Sequence, residues 1–285
     1  MDRLSHPWRS VLYIPGSKER ALEKAKGLAA DAIIFDLEDA VAMEEKPRAR
    51  ALLAETLRTA DYGQRARIVR INGLDTEWGA DDVAAMVGVP LEAILIPKVN
   101  SAADVEAVAR LIPGVDLWAM METPLGMLNA AEIAAHPRLV GMVMGTNDLA
   151  KDLGTRFRAD RLPMITGLGL CLLAARAHGV TIVDGVYNAF KDVEGLRAEC
   201  TQGRDMGFDG KTLIHPDQLA VANEVFAPSE AEVDLARRQI AAFDAAKAAG
   251  QGVAVVDGKI VENLHIVTAQ ATLAKAEAIA ALSAG

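Results

Sequence analysis

The chain has 285 residues, 51% hydrophobic, 4% aromatic and 24% charged, with a formal net charge of -9, so it can bury a sizeable core like an ordinary globular protein. The acidic balance argues against nucleic acid or an anionic membrane as the main partner, while a local basic cluster remains free to hold a phosphorylated small molecule. MDRLSHPWRS at the start has no apolar signal core, no stretch approaches the roughly 20 apolar residues that span a bilayer, and Cys171 and Cys200 lack CxxC spacing; the expectation is a cytoplasmic protein with reduced thiols.

Short apolar runs then alternate with segments of helical period. SVLYIPG is the first run, and the helix-like SKERALEKAKGLAA after it carries Lys18, Arg20 and Lys24, either a phosphate site or a solvated face. AIIFDLED ends on Asp36, Glu38 and Asp39, costly to hold at a closed rim without a cation or hydrogen-bond donors. They orient metal-bound water or start the helix of EEKPRARALLAETL. RIVRING places Arg70 near its end, where a guanidinium either stabilises a developing oxyanion or bridges that acidic group. AILIPK leaves Lys98 for a Schiff base or, more simply, an ion pair, before the helix-like SAADVEAVARLI. LWAMMET ends in Glu122 and LVGMVMGTND in Asp148. ITGLGLCLLAARAHG reads as a helix, and its GLGLC is no dinucleotide fingerprint, lacking a preceding strand and a third glycine. VTIVDGVY, GKTLIHP and the helix-like PDQLAVANEVF complete the series.

Near-continuous apolar runs suit a parallel sheet covered on both faces, and eight β/α units over about 225 residues fit a (β/α)8 TIM barrel of ~250 residues; a doubly wound open sheet is the alternative. The barrel is assigned to residues 1–226 and an extension to 227–285. In the extension Ser229 and Glu232 have capping-box spacing, Gly250 suits a helix end, and Asp257-Gly258 marks a two-residue hairpin before a closing helix. On these grounds alone Asp257 is a turn residue.

Active sites of such barrels lie at the C-terminal ends of the strands, which singles out Glu122 and Asp148. Two carboxylates with open positions suit magnesium; the alternative is that each caps a helix. His6, His136, His178, His215 and His265 are scattered, without zinc-type spacing.

The ordered set YIPGSKERALEKA, DAIIFDLEDAV, VRING, ILIPKV, MMETPLGMLNA, MGTNDLAKDLG, GKTLIHPDQ and VVDGKIVEN resembles the HpcH/HpaI aldolase and citrate lyase β family, which includes the malyl-CoA lyases, over essentially the whole chain. It is most similar to the (3S)-malyl-CoA thioesterase branch. The resemblance implies a Mg2+-dependent barrel acting on short hydroxyacyl-CoA thioesters, a homo-oligomer (trimer or hexamer), and a C-terminal lid that reaches a neighbouring subunit. Carried over by motif, the metal carboxylates fall on Glu122 and Asp148, the substrate arginine on Arg70, the acidic second-strand residues on Glu38 and Asp39, and the lid aspartate on Asp257. Lys24 matches a basic residue associated with CoA, although the loop PGSKERALEKA departs from the wording typical of the lyases. Hydrolysis of malyl-CoA to malate and CoA is the implied reaction. The alternatives are C–C cleavage of malyl-, citramalyl- or β-methylmalyl-CoA, and service as a subunit of a multi-chain citrate lyase.

Overall fold

The computed structural model describes residues 6–284; the first five residues of the stretch read for a leader lie outside that range. Eight strands alternate with helices: β1 (Ser10–Pro15), β2 (Ala32–Asp36), β3 (Ala66–Arg70), β4 (Ala93–Ile96), β5 (Asp116–Met121), β6 (Leu139–Met144), β7 (Thr181–Asp184) and β8 (Gly210–Leu213). Each pairs in parallel with its neighbour in sequence, and β1 also pairs with β8, closing the barrel. The closure excludes the doubly wound alternative. The helices are α1 (Glu19–Ala25), α2 (Lys46–Thr59), α3 (Gly79–Met86), α4 (Ala102–Leu111), α5 (Pro124–Leu128), α6 (Ala130–Ala134), α7 (Thr146–Asp152), α8 (Ile165–His178), α9 (Val193–Met206) and α10 (Leu219–Val225).

Local chemistry sets these boundaries. Ser101 and Asp104 form a capping box on α4, the Thr123 hydroxyl accepts from the Gly126 N–H at the start of α5, and Gly179 ends α8 with φ 71°. Gly195 and Gly203 obscure α9 in the sequence. Gly203 is needed there because a Cβ would come within 2.7 Å of an Asp184 carboxylate oxygen.

Side chains on each strand alternate between two apolar layers. Ile33, Phe35, Val69, Ile94 and Ala119 face the helices, whereas Ala32, Ile34, Ala66, Ile68, Leu95, Trp118 and Met120 fill the barrel. The inner layer closes with Trp8 on Trp118, ring centroids 4.8 Å apart.

The chain divides into two compact units, Trp8–Phe226 and the segment from Ala227 onward, the latter with His6 and Pro7. The second unit contains α11 (Glu230–Ala248), β9 (Ala254–Val256), β10 (Lys259–Val261) and α12 (Asn263–Ala284). Ser229 and Glu232 form the capping box of α11. Asp257 and Gly258 join the antiparallel β9 and β10 with φ 49° and 73°, the conformation a type I′ turn requires. Ala246, Ala254, Val256, Val261 and Ile266 form this unit's core. Among the described residues no helix is long and apolar enough to cross a membrane.

A Cβ at Gly141 on β6 would overlap the Trp118 indole. Gly141→Ala is therefore expected to destabilise the barrel by about 1–3 kcal/mol, read as a lower urea midpoint with an unchanged slope; an unshifted midpoint would show that the inner layer yields easily.

Candidate active site

The inward alternation explains why core strands finish in charges. On β2 the inward positions are Ala32, Ile34 and then Asp36; on β3 they are Ala66, Ile68 and Arg70; on β5 they are Trp118, Met120 and, one residue past the strand, Glu122. Two apolar layers are followed by one polar layer at the C-terminal rim. There a cavity of about 310 Å³ is lined by Tyr13, Asp36, Asp39, Arg70, Glu122 and Asp148, among others. Asp148 arrives differently from its expected place at the end of the sixth strand. β6 stops at Met144, and Asp148 stands in the first turn of α7, because the chain turns at Gly145 and Thr146 begins the helix.

Arg70 is the hub. β2 and β3 pair Asp36 directly with Arg70, and the guanidinium grips that carboxylate with two bonds, Nε to Oδ1 at 2.7 Å and Nη2 to Oδ2 at 2.6 Å, the fork geometry that suits arginine. Backbone N–H groups of Glu38 and Ala40 also donate to Asp36, so Asp36 is committed to holding Arg70. The other face of Arg70 reaches Glu38 at 2.8 Å and Asp39 at 3.4 Å, and its Cζ lies 5.1 Å from the Tyr13 ring. The ion-pair reading of Arg70 is the one observed, and the same side chain also lines the cavity.

Glu38 is buried, and Lys98 Nζ donates to its Oε1 at 2.7 Å; Oε2 lacks an aligned hydrogen bond despite the nearby guanidinium. Burial pushes the Glu38 carboxyl up from its ordinary value, against the pull of Arg70 and Lys98. Lys46, the first residue of α2, threads inward to donate to the carbonyls of Leu37 and Glu38 and to Asn72 Oδ1, fastening the backbone that carries Glu38. Nothing in EEKPRAR announces that role; a long stem at a helix start looks solvated.

Glu122 is 1% exposed, and its Oε1 accepts the Lys98 backbone N–H at 2.8 Å. It does not cap the helix after it; Thr123 does. Burial, followed by repulsion from Glu38, pushes its pKa up to about 7.

A second buried charge network makes the contrast. On the outward face of the sheet, Asp184 accepts from Arg161 at 2.7 Å and from Lys211 at 3.2 Å, and Lys211 also reaches Glu199 at 2.7 Å. Burial raises the Asp184 pKa, but Lys211 and Arg161 outweigh it and hold that carboxyl below its ordinary value. Asp184 has its cations within the fold. Among the described residues no side-chain cation pairs with Glu122, and Lys98 and Arg70 pull on it only from a distance.

Lys24 is exposed in the last turn of α1 and is not among the residues lining the cavity. Asp257 belongs to the second unit, where Arg238 Nη1 lies 2.8 Å from both its oxygens. Sequence reasoning passed over Tyr13, which reads as one more apolar strand residue, and Asn147, which also lines the cavity.

The HpcH/HpaI aldolase/citrate lyase model matches residues 9–216. The chain belongs to this family. The (3S)-malyl-CoA thioesterase of Cereibacter sphaeroides is 78% identical over 284 residues, covering 100% of both chains. The L-malyl-CoA/beta-methylmalyl-CoA lyase of the same species is 37% identical, covering 97% of each. Among solved family structures, CitE from Mycobacterium tuberculosis in complex with magnesium, acetoacetate and coenzyme A superposes with a TM-score of 0.80 at 34% identity, over 94% of this chain and 97% of that one.

A carboxyl raised by burial favours the folded state below its unfolded pKa, and that contribution is lost as pH rises through the folded value. With Glu122 at about 7, the metal-free protein is expected to lose stability between pH 5 and 8, by up to about 3 kcal/mol. Chemical denaturation across that range checks this; Glu122→Gln should flatten the slope, and an equally steep profile in the variant would assign it elsewhere.

Proposed function

We propose that this chain is a magnesium-dependent thioesterase that hydrolyses (3S)-malyl-CoA to malate and free CoA. The observation that carries the reading is the 78% identity, over the whole of both chains, to the enzyme of that name, against 37% to the lyase. The cavity supplies suitable chemistry. Glu122 is a buried carboxylate short of positive charge, Asp148 opens on the same space, and Mg2+ is commonly held by one or two carboxylates with substrate and water oxygens completing its shell. Among the described residues no group of three or more His, Cys, Asp or Glu side chains is arranged to hold an ion, so the reading rests on this pair alone. When bound, magnesium supplies Lewis-acid polarisation and a template for the hydroxyl and carboxylate oxygens of the malyl group.

The remaining work falls to the chain's own side chains. Arg70, pinned by Asp36, faces the thioester oxygen as water adds to the carbonyl carbon and negative charge develops there. Asp39, with its side chain 60% exposed and only a long 3.4 Å contact to Arg70, is the rim carboxylate that takes the water's proton. Collapse of the tetrahedral centre breaks the C–S bond, and the leaving thiolate takes up a proton to give free CoA. Glu38, between Arg70 and Lys98, keeps the guanidinium oriented. Lys24 for the CoA phosphates and Asp257 as a lid carboxylate are proposals resting on family resemblance, as is a cytoplasmic homo-oligomer; the buried free thiols Cys171 and Cys200 suit a reducing compartment.

Chromatographic separation of products from (3S)-malyl-CoA, with and without magnesium, tests the reading. Malate with free CoA is expected, dependent on the ion; glyoxylate with acetyl-CoA would replace hydrolysis by C–C cleavage. Arg70→Ala is expected to lower kcat by ~10²- to 10³-fold, and a rate near wild type would remove Arg70 from the reaction.

A further inference from the structure

Lys98 is one of the few described residues other than glycine with positive φ, at 50°. The left-handed region is unfavourable for a side chain with a Cβ, and such outliers persist where surrounding contacts over-determine them. Two contacts meet at this one. The strained backbone points the Lys98 N–H at Glu122 Oε1, 2.8 Å away, and the side chain reaches across the rim to Glu38 Oε1, 2.7 Å from Nζ. The side chain is 50% exposed, so close packing does not lock it. Asn100 Nδ2 also donates to the Lys98 carbonyl at 3.1 Å, a further hold on the same turn.

We infer that Lys98 is a positioning residue: its left-handed backbone aims an N–H at Glu122, and its ammonium, anchored on Glu38, holds that backbone in place. One residue thereby fixes both carboxylates. The inference predicts an inverted order of substitutions. Lys98→Ala removes the ammonium but keeps the Cβ, so the turn relaxes and the N–H leaves Glu122. Lys98→Gly removes the same charge and more of the side chain, yet glycine adopts φ 50° without steric penalty, so the N–H stays. Because the two variants lose the same charge, any difference between them belongs to the backbone.

The experiment follows amide hydrogen exchange at residue 98 by NMR in the metal-free protein, and Mg2+ binding without substrate by calorimetry. In Lys98→Ala the amide is expected to exchange on the order of tenfold faster than in wild type and Mg2+ affinity to fall about five- to tenfold below that of Lys98→Gly; in Lys98→Gly the exchange stays within about twofold of wild type. Equal exchange in Ala and Gly variants, or wild-type exchange in Lys98→Ala, overturns the inference. The calorimetric arm rests on Glu122 as a magnesium carboxylate. If the wild-type protein binds no Mg2+, that reading falls, while the exchange data still decide the role of Lys98.

Discussion

Charge compensation at the barrel rim is the constraint on which the site depends. Asp36, Glu38, Asp39, Glu122 and Asp148 gather near one end of the barrel, and Arg70, Lys98 and Lys46 are the cations set among them. Buried carboxylates that lack partners are strongly disfavoured in charged form, so the fold distributes its cations with care. Arg70 goes to Asp36 in full and to Glu38 in part; Lys98 goes to Glu38; Lys46 donates to carbonyls and an amide. What remains is Glu122, served by a backbone N–H and raised towards neutrality. A divalent cation is the group that would relieve it.

The same physics, resolved differently, builds the outward network around Asp184. There Arg161 and Lys211 are both sealed from solvent, the carboxyl is held ionised, and Arg161 ties the segment before α8 to the sheet. Both networks are buried and charged. Among the described residues both touch cavities, the outward one through Arg161 and Glu199, and only the rim network leaves a buried carboxylate without a side-chain cation. The two carboxyls shift in opposite directions because the cations are placed differently: against burial, Lys211 and Arg161 hold Asp184 down, while burial and Glu38 push Glu122 up.

Much of this was legible in the sequence. Eight apolar runs, a capping box at Ser229 and the Asp257-Gly258 turn correspond to observed elements because each rests on short-range chemistry: strand hydrophobicity, cap hydrogen bonds, positive φ. Arg70, Glu122 and Asp148 were accessible as charges interrupting or following buried runs. The remainder depended on three-dimensional reach. Asp36 looked like one acid of three, and only the β2–β3 register gives it to Arg70. Lys46 and Lys98 act through long side chains or backbone conformation, which local sequence patterns do not encode. Asp148 sits a helical turn beyond its strand, since a tight turn at Gly145 intervenes.

The central claim is that the charge deficit at Glu122 is met by a divalent cation shared with Asp148. Crystals grown with Mn2+ in place of Mg2+ and measured near the manganese absorption edge test it most directly. The expected result is one strong anomalous peak in the rim cavity within coordination distance of carboxylate oxygens from both residues, lost in Glu122→Gln. A peak elsewhere, or one that survives the substitution unchanged, would contradict the account and leave the raised carboxyl of Glu122 to act by itself as an acid.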